Sequence, residues 1–211
     1  MKNLFMVFVA PQETFERVKE NKTAWILPLV VLMVFSAISI YLQMPFIEKG
    51  LIEQFQKQQI DPSAQEALIQ TTKISGFIIS FIMTAAGVFI WGLLLMLLNL
   101  IVRGKAKYMQ LVTLAAFATL PGILNSLLTT VMVSATDGQA LSDVSLSLGA
   151  FVSDKSSQLY ELMSIINPFT IWGVIMYVVG ASVMMQRPRK TVGMWIISLW
   201  LVLSIGPLLI L

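Results

Sequence analysis

The chain has 211 residues, of which 57% are hydrophobic and only 12% charged, with a formal net charge of +3. A soluble domain of this length is about half apolar and about a quarter charged, so this composition leaves too little polar surface to face water on every side; it excludes a soluble domain and predicts an integral membrane protein. With no cysteine and no histidine, disulfides, thiolate chemistry, histidine-ligated haem and ordinary zinc sites are excluded together.

Lys2 and the apolar run 4–10 resemble the start of a signal peptide, but the run is short, and Pro11, Glu13 and Glu16 follow it. No cleavable signal is expected, and the N-terminus is expected to be retained. Residues 11–20 read as a short helix: Pro11 suits the first helical position, Glu13 sits in the first turn, and Arg17 and Lys19 lie towards the end. Phe15 and Val18 share one side, with Phe5 and Phe8 before them. Residues 1–23 are therefore expected to lie in the cytoplasmic interface, on membrane lipid, as an anchor for the first span; a partner-docking surface is the sharper alternative.

A hydrocarbon core of about 30 Å needs roughly 20 apolar residues in a helix. The stretches 24–42, 74–102, 109–135, 168–185 and 192–211 meet this, and none contains Asp, Glu, Lys or Arg. Residues 24–211 are thus expected to form a single all-α bundle of five transmembrane helices, with short interfacial amphipathic helices beside it. Between the first two spans, Asp61 followed by Pro62 marks a helix start. In the second span Gly76, Ser80 and Thr84 recur every four residues, a small-residue stripe that permits close helix approach either inside the chain or between copies. Asn99 there and Asn125 in the third span need partners in hydrocarbon and are expected to face other helices. Pro121 beside Gly122 is expected to kink the third span. In the next loop Leu159, Leu162, Met163 and Ile166 form an apolar stripe at helical spacing. Both outer-loop helices are expected to cover the outer ends of the spans as a lid, or to present a surface to a partner. The fourth span opens on Asn167-Pro168-Phe169-Thr170-Ile171-Trp172-Gly173: Asn167 as cap, Pro168 as first residue, Phe169 and Trp172 in the interfacial belt.

Lys2, Arg17, Lys19, Lys22, Arg103, Lys105, Lys107, Arg187, Arg189 and Lys190 fall in segments on one side of these spans, against Glu13, Glu16 and Glu20. The loops 43–73 and 136–167 hold Lys49, Lys57, Lys73 and Lys155 against twice as many acids. By the positive-inside rule the N-terminus is expected to be cytoplasmic and Leu211 to end outside the cell membrane. Basic residues so placed orient spans, and no nucleic-acid partner is expected.

Catalysis finds no constellation. Gly104-Lys105 is followed by Ala106 and Asn99 stands where a phosphate loop needs its first glycine. The spans offer no base to activate a serine and no paired aspartates. Asp137, Asp143, Asp154 and Glu161 match no calcium-loop spacing and read as a solvated acidic face. No enzyme activity, cofactor or metal is expected. Without intramembrane charge, a proton- or ion-coupled carrier is also disfavoured.

Three stretches carry a resemblance. The fourth-span opening, followed by Gly180, resembles the bacterial branch of the Yip1 family. Pro11-Gln12-Glu13-Thr14-Phe15 resembles the segment that precedes the first span in those proteins, and Ala115-Ala116-Phe117-Ala118-Thr119-Leu120-Pro121 is similar to their third-span pattern. The resemblance runs the length of the chain in order. It implies Pro11, Glu13, Phe15, Pro121, Asn167, Phe169, Trp172 and Gly180 as motif or packing residues, with Gly76, Ser80 and Thr84 as association candidates read from spacing alone. Eukaryotic members act in membrane traffic with Rab-type GTPases; their Asp-Leu-x-Gly-Pro type motif is absent here. The expected function is a non-enzymatic membrane scaffold or accessory protein, acting on itself as a homo-oligomer or on a membrane partner such as a transport system. The alternative is a small channel or transporter moving a solute through the bundle.

Overall fold

The computed structural model describes residues 2–136 and 144–209, so Asp137, Asp143 and the terminal Leu211 lie outside the described residues. Among these the regular structure is entirely helical: α1 (Lys2–Val9), α2 (Pro11–Val18), α3 (Ile26–Lys57), α4 (Pro62–Ile101), α5 (Tyr108–Ala118), α6 (Leu120–Ala135), α7 (Gln158–Ile165), α8 (Pro168–Met185) and α9 (Arg189–Ile205). Short 3-10 turns occupy Leu148–Phe151 and Gly206–Leu209. Counting α5 and α6 as one, five helical segments are long and apolar enough to cross a membrane. The protein is an all-α, multi-pass membrane protein.

The third span is the hub. In its most apolar window 56% is buried, against 22% for the second span and 17% for the fifth, and Leu111, Val112, Leu114, Ala115 and Ala116 are wholly enclosed. Small side chains here let neighbours close in, because backbone approach is limited by the residues between helices. Gly92 on α4 shows the tightness: a Cβ there would lie 2.7 Å from Val112 Cγ2. α4, α8 and α3 all pack on α5, and α9 packs outside on α8.

Hydropathy located the spans but not the helix ends. The apolar stretch 24–42 sits within α3, which continues to Lys57 through Pro45, and α4 begins well before residue 74. The expected outer loop is therefore mostly a helical hairpin, turning within residues 58–61, where Gln59 takes a left-handed φ of 55°. Asp61 does cap α4: its Oδ1 accepts from the Ser63 N–H at 2.8 Å. Polar residues between 43 and 73 mark where hydrocarbon stops; Pro45 and Gly50 are both carried inside α3, and the helix is interrupted only ahead of Asp61-Pro62. At about 1.5 Å per residue, the 40 residues of α4 span roughly 60 Å, twice the hydrocarbon core. Phe55 and Ile69 are buried in the projecting part, and Lys73 pairs there with Glu48.

The expected lid over the outer ends does not form from α7. Most of its stripe stays open, with Leu159 53%, Leu162 41% and Ile166 40% exposed, while Met163 is half-buried. α7, capped by Ser157 Oγ on the Tyr160 N–H, packs chiefly on the turn Leu148–Phe151. Helical spacing shows that a helix has an apolar face; it does not say what the face meets.

Candidate functional site

At the end of the bundle that carries most of the basic residues, one residue from each of the three sequence motifs meets the others: Phe15, Phe117 and Gly180. Pro11 begins α2 and Ala10 precedes it without a side-chain cap. That short helix turns Thr14, Phe15 and Val18 inward, while Glu13 and Glu16 stay exposed. Phe15 is wholly buried and meets Phe117 of α5 edge-on, with ring centroids 6.1 Å apart. Both sit against Gly180 of α8. A Cβ on Gly180 would come 2.3 Å from Leu114 Cδ1 and 2.8 Å from Phe15 Cε2, so glycine is there because the ring and the leucine occupy its side-chain space. Thr14 Oγ1, buried beside them, has no hydrogen-bond partner among the described residues.

Polar bonds close the same end. Gln110 Nε2 donates to Lys19 O at 2.9 Å, Arg17 Nη1 to Asn3 Oδ1 at 2.9 Å, and Arg189 Nη2 to Gln12 Oε1. The loops after α4 and α8 are tied together: Lys105 N donates to Met185 O at 3.0 Å, and Arg187 Nε to Arg103 O at 3.0 Å. Arg103 and Gln186, which turn the chain out of α4 and α8, are both left-handed. Asn99 holds this arrangement from beneath. It is 3% exposed; its Nδ2 donates to Ala106 O and its Oδ1 accepts from Ala106 N, both at 3.2 Å. One side-chain amide thus satisfies both backbone groups of a buried alanine, as a strand neighbour would.

At the opposite end Asn167 caps α8, its Oδ1 accepting from Phe169 N at 2.8 Å. Its Nδ2 donates to Asn125 Oδ1 at 2.9 Å, joining α8 to α6. Trp172 packs half-buried against the core, and Phe169 is half-buried. Midway between the ends, the third span breaks at Thr119 just before Pro121, which supplies no N–H to the Phe117 carbonyl. Thr119 Oγ1 donates to Ala115 O at 2.8 Å and lies 3.3 Å from the Tyr177 hydroxyl.

The small-residue stripe divides. Ser80 and Thr84 turn towards α3, where Ser36 Oγ lies 3.4 Å and 2.9 Å from their hydroxyls. Gly76 has nothing within 4 Å of a notional Cβ. Sequence reasoning missed the rest of this seam: Ser39 Oγ is 2.7 Å from Ser126 Oγ, and Gln43 Nε2 lies 2.9, 3.1 and 3.1 Å from the hydroxyls of Ser39, Ser126 and Thr130, which share its two hydrogens. Ser36, Ser39 and Gln43 stand at i, i+3 and i+7, a spacing that would have exposed a polar face on α3.

Asp154 is committed to its own turn: the Ser156 hydroxyl and N–H hold its carboxyl below the usual carboxylate range. Among the described residues no three His, Cys, Asp or Glu side chains come together as a metal site. The arrangement is a set of clamps and seams that fix helices.

A family model for the Yip1 domain matches residues 5–211. The chain is 24% identical over 180 residues to the "Membrane protein YknW" of Bacillus subtilis (strain 168), a match covering 84% of this chain and 76% of that protein. No solved structure matches it.

Proposed function

Because the chain belongs to the Yip1 family of membrane proteins, we propose that it is a non-catalytic scaffold or accessory protein, working through helix and loop contacts with membrane partners such as a transport system. One observation carries this reading: the amides Gln43, Asn99, Asn125 and Asn167 are each engaged in bonds between helices or loops, where a transporter would keep such groups free for a solute. Meanwhile α4 and α9 present broad apolar faces, with Leu93 55%, Leu97 52%, Met194 63% and Val202 66% exposed. The open stripe of α7 adds a further contact surface. Photo-crosslinking residues placed in cells at Leu93, Leu97, Met194 and Val202 should give discrete protein adducts of constant mass. Adducts to lipid alone, together with saturable solute flux by the parent protein in vesicles, would replace the scaffold with a transporter.

In this reading the basic end faces the cytoplasm. The absence of cysteine permits a direct check with single cysteines at the exposed positions Lys105, Lys190, Gln58 and Ser153. An impermeant thiol reagent applied to intact cells is expected to label positions 58 and 153 only. Labelling at 105 or 190 reverses the orientation.

A further inference from the structure

We infer that the cavity between α4, the Thr119 break, α8 and α9 binds a lipid-soluble carbonyl compound of the prenylated quinone class, admitted sideways from the bilayer. The cavity measures about 260 Å³. An apolar cavity of roughly 150 Å³ holds a benzene ring, so this one has room for a substituted ring and the first atoms of its chain. Its lining is mostly apolar and includes Trp91, Phe169, Tyr177 and Trp200. The Trp91 and Tyr177 rings lie 5.9 Å apart at 42°, and such faces favour a flat partner over a bare chain.

Glycine creates the space. Gly122 has nothing within 4 Å of a notional Cβ, and Gly173 meets only Ala118 O at 3.4 Å. Both line the cavity, where larger residues would fill it. Access is lateral, since α4 and α9 make no extensive packing contact with each other.

Depth selects the chemistry. The 11 residues of α5 place Thr119 about 17 Å from the basic end, near the middle of a core of about 30 Å. Thr119 and Tyr177 both line the cavity at that depth. Thr119 Oγ1 already donates to Ala115 O, so between the two hydroxyls Tyr177 is the donor, across 3.3 Å, longer than the usual O–H···O distance of about 2.7 Å. A poorly partnered hydroxyl in hydrocarbon is costly, and an acceptor oxygen relieves it. Phospholipid ester carbonyls sit at the interface and do not reach the mid-plane; the carbonyl of a freely dissolved lipophilic ring does.

The test titrates a decyl-substituted benzoquinone into the full chain in phosphatidylcholine nanodiscs and reads saturable quenching of tryptophan fluorescence. Gly173→Leu and Gly122→Leu, on two different helices lining the cavity, are expected to remove the saturable component while helicity and melting stay unchanged. Tyr177→Phe is expected to weaken quinone binding about five-fold, the loss of one ordinary hydrogen bond, and to leave quenching by mid-chain dibrominated phosphatidylcholine as it was. Saturable quenching that survives in folded glycine variants overturns the proposal. So does an unchanged affinity in Tyr177→Phe, which decides the matter even where the glycine variants fail to fold; with strong dibromo-lipid quenching, that result assigns the cavity to an acyl chain.

Discussion

Phe15→Ala is expected to release α1 and α2 from the bundle while leaving the spans folded. The ring is wholly enclosed between Phe117, Leu114 and Gly180, and truncating a buried phenylalanine costs about 3–5 kcal/mol in lost burial and residual cavity. That loss falls on the docking of a short N-terminal segment whose other wholly or nearly buried apolar anchors are Val7 and Val18. Cleavage by trypsin after Arg17 and Lys19 requires this segment to open, and its rate follows the open population when closing is fast. A docking loss of 3–5 kcal/mol raises that population by roughly two to four orders of magnitude, so limited proteolysis in detergent micelles should show a large acceleration at these sites alone. Phe5, 74% exposed, is the control, and Phe5→Ala should change the rate by less than about three-fold. Equal rates for the two variants would mean that Phe15 does not hold the N-terminal segment.

Asn99→Leu acts on the bundle itself. Leucine matches the amide in size but leaves the Ala106 N–H and C=O unpaired in a buried position; each such group costs about 1–3 kcal/mol, or roughly 2–6 kcal/mol together. The expected result is a chain that melts well below the parent and loses yield as a monodisperse species on size exclusion. Asn99→Gln retains the chemistry but misplaces it by one methylene and should fall between. A melting temperature within two or three degrees of the parent for Asn99→Leu would show that water replaces the clamp without penalty.

These residues show how far the sequence reaches. The five spans were legible because bilayer burial demands long uncharged runs, and Pro121 announced the break at Thr119 because proline cannot donate to the turn behind it. Asn99 and Asn125 were expected to face other helices for the same reason of satisfaction; Asn125 does, bonding the α8 cap Asn167, whereas Asn99 turns to Ala106 in the loop that follows its own helix. The length of α3 and α4 was not legible, since polarity reports the edge of hydrocarbon and not the end of a helix. Nor was the exposed stripe of α7, where spacing defines a face but not its neighbour. The meeting of Phe15, Phe117 and Gly180 lay beyond local patterns: periodicity can place each residue on its helix, but only the packed bundle brings separate helices to one point.

The clamp at the basic end also sets an order of events in synthesis. Gln12 meets Arg189, 177 positions later in the chain, and Phe15 closes on Gly180 of the same late-made half. At about 5–20 residues per second, the N-terminal helix waits roughly 10–35 s on the ribosome for the surface it docks against. During that interval α3 and α4, joined by a short turn and packed along one another, can pair without it. The first segment translated is therefore among the last to dock, and a chain stopped before α8 carries Phe15 undocked, open to proteases and chaperones that the finished bundle no longer admits.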